Sequence, residues 1–90
     1  MTEYKQMIFI LNKNLYAFKK SVKSCDIPSI LDNNIVFIDT LRNANKIFES
    51  LSPKAKIDNA TTNDKSKELA MQYFDVRSRI NSICSCVTKK

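Results

Sequence analysis

The sequence predicts an all-α chain: an antiparallel three-helix bundle with coiled-coil-like heptad stripes, spanning residues 1–90 as one helical domain. Three observations predict it. Apolar residues recur at alternating steps of four and three in three successive segments, a period of about 3.5 that draws one stripe down a helix. The two prolines, Pro28 and Pro53, fall between those segments rather than inside them. Glycine is absent, and the tight turns of β-hairpins favour it, which argues against a sheet.

The first helix is expected over about residues 3–24. Tyr4, Ile8, Leu11, Leu15, Phe18, Val22 and Cys25 form its stripe. It should end near Ser24 or Cys25, because Pro28 restricts Ile27 to extended geometry. The second helix is expected over about 29–51, with Ser29 as N-cap, or Pro28 in the first turn, and Asp32 answering the cap. Its stripe is Ile30, Asn34, Phe37, Leu41, Ala44, Phe48 and Leu51. Asn34 is the polar member of that seam, where such a residue fixes register or marks a frayed start. Leu31, Ile35, Val36, Ile38 and Ile47 lie off the stripe. A helix apolar on several sides is covered on several sides.

Residues 51–64, "LSPKAKIDNATTND", read as a linker in which Pro53 ends or restarts a helix. Thr61 and Asp64 have the spacing of a capping box. The third helix is expected over about 63–87, with the stripe Leu69, Tyr73, Val76, Ile80, Ile83 and Val87. Asp75 and Arg79 stand one turn apart, acid first. Arg77, Arg79, Lys89 and Lys90 suit the C-terminal end of the helix dipole. The alternative architecture is a helical hairpin whose third helix docks on a partner. Charge favours the bundle: residues 1–25 carry net +4, residues 26–51 carry −2 and residues 64–90 carry +3. An acidic middle helix between two basic ones lowers repulsion.

In an up-down-up order, the C-terminal ends of the first and third helices meet. Cys25 therefore comes near Cys84 and Cys86. The expected role of the three is small apolar filling at a helix end. A bridge from Cys25 to either Cys84 or Cys86 is the next reading, and a reducing cytosol would keep it open. A metal site comes last. Three thiols lack a fourth ligand, and no histidine is present to supply one. The sulfurs of Cys-x-Cys on a helix also diverge by about 200°.

Without histidine there is no imidazole base, and without glycine no phosphate-cradling loop or nucleophile elbow. No carboxylate pair has a spacing that suggests acid–base work. The chain therefore reads as not an enzyme, with no cofactor and no small-molecule substrate. No stretch reaches the ~18 apolar residues of a membrane span, and "MIFIL" followed by "NKN" lacks a signal-peptide layout. The expected setting is cytoplasmic, or host cytoplasm if the chain is viral. Abundant Lys, Asn and Ile with no Gly suit an AT-rich genome, viral or bacterial. The sequon at Asn59 reads as chance.

A 90-residue chain is marginally stable without help, and association is one source of it. Phe9, Ile10 and Tyr16 on the back of the first helix, Ile35 and Val36 on the second, and Phe74 on the third are the candidate partner-binding residues. They point to a non-enzymatic protein–protein interaction module, a small helical adaptor, inhibitor or assembly subunit, that self-associates or holds a partner helix. The alternative is a basic nucleic-acid-binding protein. Its net charge is +6, and Lys13, Lys20, Lys23, Arg77 and Arg79 would meet the phosphates, with aromatics interleaved.

Overall fold

The computed structural model describes residues 3–88, with side chains described as far as Cys84. The side chains of Cys86 and Val87, and Lys89 and Lys90 altogether, lie outside the described residues. Among the described residues the chain is all-α. Its helices are α1 (Glu3–Lys23), α2 (Ile27–Glu49), α3 (Pro53–Asp58), α4 (Ala60–Ser78) and α5 (Ile80–Thr88). They assemble into a rod of 55 × 18 × 17 Å.

The first stripe is buried as its spacing requires. Tyr4, Ile8, Leu11, Leu15, Phe18 and Val22 all belong to the core. The α1–α2 connection is only Ser24, Cys25 and Asp26. Cys25 N–H donates to Val22 C=O at 3.0 Å, and Asp26 N–H donates to Ser21 C=O at 3.1 Å. That pair of bonds is a Schellman cap, whose pivot residue takes the left-handed conformation. Cys25 is that residue, at φ 53°. Glycine holds this position most often, and a residue with a Cβ pays about 1–2 kcal/mol to occupy it.

The start of α2 differs from expectation. Its N-cap is Asp26, whose carboxylate accepts from Ser29 N–H at 3.4 Å and from Ser29 Oγ–H at 2.9 Å. Ser29 is thus the capped partner, not the cap. Ile27 lies inside the first turn, closed by Ile30 N–H to Asp26 C=O at 2.9 Å. A carboxylate at the positive helix end outweighs the proline's preference for an extended residue before it.

α1 and α2 are antiparallel. Asn14 Nδ2–H donates to Thr40 Oγ1 at 2.7 Å, and Asn33 Nδ2–H donates to Ala17 C=O at 3.3 Å. Asn34 is no frayed end: it accepts the hydroxyl of Tyr73 across to α4. Tyr73 is fully buried. Its ring stacks on Phe37 at 4.2 Å and meets Phe18 at 4.9 Å, so one side chain joins three helices. Aromatic pairs of this kind add about 0.5–1.5 kcal/mol each beyond area burial.

The linker contains a helix of its own. Pro53 restarts the chain as α3, and Ser52 Oγ caps it by accepting from Ala55 N–H at 3.2 Å. α4 then begins at Ala60, before Thr61, so Thr61 and Asp64 form no capping box there. The junction residue Asn59 is buried and turns its amide back to Ala55 C=O at 2.8 Å.

The third expected helix is broken. Arg79 ends α4, and α5 continues from Ile80. The apolar stripe shifts with the break: Leu69 and Tyr73 are buried and Val76 and Ile80 are half-buried, but Cys84 rather than Ile83 completes the line. Cys84 is bonded to Cys25, with 5.6 Å between their Cα atoms. Cys25 and Cys84 are therefore bridged, not merely small apolar filling. α1 and α4 run parallel, matched in order by Tyr4 Oη–H to Asn63 Oδ1 at 3.1 Å, Lys19 Nζ–H to Gln72 Oε1 at 2.6 Å, and the bridge.

Candidate interaction surface

All six candidate partner-binding residues are on the surface, each between 45 and 71 % exposed. They do not share one face. At about 100° per residue, Ile10 follows the flank of Asn14 and Ala17, which faces α2. Val36, four residues before Thr40, borders the same α1–α2 seam. Phe9 and Tyr16 lie on the other flank of α1, against α4. Phe74 lies about 200° round α4 from Gln72, away from α1, with its ring edge-on to Tyr73 at 5.1 Å. It borders the α2–α4 seam.

Across that seam, α2 carries a second apolar band. Ile27, Leu31 and Ile35 are exposed, and Ile38 is half-buried against the core. The steps of four, four and three run parallel to the buried stripe, one side chain further round. Ile27 and Leu31 were not among the candidates from sequence; their four-residue spacing to Ile35 was the available signal.

The α1–α4 seam is of another kind. It holds an open groove of about 520 Å³, lined by Phe9, Lys13, Tyr16 and Lys19 of α1 and by Lys65 and Gln72 of α4, over a floor of Leu15 and Leu69. The groove continues toward Lys5 and Thr62 at one end and toward Lys20 and Lys23 at the other. No carboxylate lines these three stretches. Glu68 stands beside them, 4.0 Å from Lys65 Nζ and accepting from Gln72 Nε2–H at 3.3 Å. Lys13 Nζ lies 4.7 Å from the centre of the Phe9 ring, a cation–π contact.

Of the residues proposed to meet nucleic acid, Lys13, Lys20 and Lys23 come together along this wall. Arg77 and Arg79 do not line it. Arg77 lies one turn beyond Tyr73, and Arg79 Nε pairs with Asp75 at 3.3 Å, the one-turn pair expected from sequence. Lys5, Lys19 and Lys65 belong to the groove and were missed. Lys65 joins only through the docking of α4 on α1, which no local pattern discloses.

Burial raises the phenol pKa values of Tyr4 and Tyr73 above the ordinary tyrosine value, with the Ser66 hydroxyl partly offsetting the first and the Arg77 charge the second. Both rings belong to the core, away from the groove. Among the described residues no group of three His, Cys, Asp or Glu side chains is placed to hold a metal ion. Among the same residues no helix is long and apolar enough to cross a membrane. Compared with protein-family models, curated proteins and solved structures, the chain matches none.

Proposed function

We propose that the chain is a non-enzymatic protein–protein interaction module, an antiparallel three-helix bundle that presents apolar helix faces to a partner or to a second copy of itself. The observation that supports this most is the band of Ile27, Leu31 and Ile35, exposed along α2. Single exposed apolar residues are ordinary, but a row spaced by one helical turn is what a helix face in an interface looks like. A rod this thin has few interior positions, and covering the row by association adds burial that its own core lacks. Sedimentation tests the reading. The protein, or its complex captured from its source, should lose a subunit or partner when Ile35→Glu and Phe74→Glu are combined. A stable monomer whose partner is retained by that variant overturns it.

The reading includes a cytoplasmic setting, against which the Cys25–Cys84 bridge weighs, because glutathione keeps such thiols reduced. The oxidation state of the protein in its source decides between them. A second reading, salt-dependent nucleic-acid binding, draws on Lys13, Lys20 and Lys23 beside Phe9 and Tyr16. A shift of labelled RNA or DNA at low salt that vanishes at moderate salt would support it. No shift at low salt removes it.

A further inference from the structure

The outer flank of α1 has a seven-residue period of its own. Lys5, Asn12 and Lys19 make one line, Phe9, Tyr16 and Lys23 a second, and Lys13 and Lys20 a third. The first two lines edge the groove toward α4. From Lys5 to Lys23 the wall is about 27 Å long, the length of a helix of about eighteen residues. Two parallel helices with an apolar floor between them form the natural seat for another helix. A guest helix with apolar residues every three and four positions would meet Phe9 and Tyr16 in register. Its flanking positions would then face Lys5, Lys19 and Lys65, and carboxylates are the residues that complement them.

Resting on the interaction reading above, we propose that the α1–α4 groove holds an acidic amphipathic helix of a partner protein. Apolar side chains of the guest lie on Phe9 and Tyr16, the exposed rings of the groove, and its Glu or Asp residues face the lysines. The period favours a helix over a nucleic-acid strand. Phe9 and Tyr16 stand about 10 Å apart along the axis, a heptad step rather than the short repeat of stacked bases. Lys13 also covers one face of the Phe9 ring.

The test is fluorescence anisotropy with three labelled synthetic peptides of about eighteen residues. One has a Leu heptad stripe flanked by Glu, one has Lys in place of Glu, and one keeps Glu but has Ser in place of Leu. The acidic amphipathic peptide should bind saturably and weaken as salt is raised, and the other two should not bind. Lys19→Glu with Lys23→Glu, and separately Phe9→Ala with Tyr16→Ala, should each weaken binding by about tenfold or more. All four residues are on the surface, so circular dichroism should be unchanged. Ile57→Glu, exposed on α3 and outside both proposed surfaces, should leave binding intact.

Absence of binding by the acidic amphipathic peptide overturns the proposal. So does tighter binding of an oligo-dT strand that the same substitutions abolish, which would make the groove a nucleic-acid surface. Loss of self-association in the groove variants would make the occupant a second copy, and overturns it too. If the peptide fails while Ile35→Glu with Phe74→Glu still detaches a partner, the groove assignment falls and the interaction reading stands.

Discussion

The bridge between Cys25 and Cys84 closes a loop with a sequence separation of 59 residues. The chain-entropy relation for a loop of that size gives about 4 kcal/mol of stabilisation. A 90-residue domain has a total stability of roughly 5–13 kcal/mol, so the bridge is a third or more of it. The perturbation is Cys25→Ser with Cys84→Ala. Alanine is chosen at the second site because a hydroxyl in that buried position would add its own desolvation cost. Urea unfolding, followed by far-ultraviolet circular dichroism, should lose about 1.3–4 M in midpoint at the slopes usual for small domains. Reduction of the unmodified protein should do the same, and thiol titration in denaturant should gain two thiols per chain. Cys25→Gly in place of Cys25→Ser should recover about 1 kcal/mol, because glycine takes φ 53° without a Cβ clash. α5 is nine residues long, short of what an isolated helix needs. Its amides should therefore lose hydrogen-exchange protection first. Equal urea midpoints for oxidised and reduced protein would refute the reasoning, as would a double variant losing under 1 kcal/mol.

Three further outcomes are expected. Tyr73→Phe removes the donor to Asn34 while keeping the ring stack, and should cost about 1–2 kcal/mol in urea unfolding. Asp26→Ala removes the α2 cap and should cost about 1 kcal/mol. Alkaline pH should destabilise the fold. Tyr4 and Tyr73 hold their protons more tightly folded than unfolded. Their contribution is therefore complete below the ordinary tyrosine value of 10.0 and is lost as pH rises through their raised folded values. Thermal midpoints measured from neutral pH upward check this, and a midpoint that does not fall above that value would contradict it.

The first helix was legible almost residue by residue, because its stripe of six large apolar side chains runs unbroken at steps of four and three, whereas Phe9, Ile10 and Tyr16 form no such continuous stripe. The second was legible in its interior but not at its start: Asp26 and Ser29 are both good caps, and sequence alone does not rank them. The third was misread where two local effects met. Ile83 and Cys84 are adjacent and both apolar, so period alone chose Ile83; the bond to Cys25 and the break at Arg79 choose Cys84. Lacking glycine, the chain uses Cys25 for its left-handed cap, and no composition rule points to that substitution. The candidate site was legible as a set of exposed residues and not as an arrangement. Ile10 follows Phe9 directly in sequence, yet one turns toward α2 and the other toward α4.

The groove and the bridge are connected through the parallel pairing of α1 and α4. Between those helices Tyr4 and Asn63 form a tie at one end, Lys19 and Gln72 a tie in the middle, and Cys25 and Cys84 a covalent tie at the other end through α5. The lysine–glutamine tie is exposed, and water competes for both its partners, so it adds little. The tyrosine bond is partly buried, and the bridge does not exchange with water at all. The width of the groove is therefore set by its two ends together with the buried packing of Phe18 on Tyr73 between them. A seat fixed before the guest arrives spares the complex the cost of ordering it. α1 also supplies one ring to the Tyr4–Phe48 and Phe18–Tyr73 pairs, while the Phe37–Tyr73 stack joins α2 to α4. In a rod this thin the residues that build the core and those that shape the surface alternate along a single helix, so the stability of the fold and the geometry of its basic wall depend on the same α1.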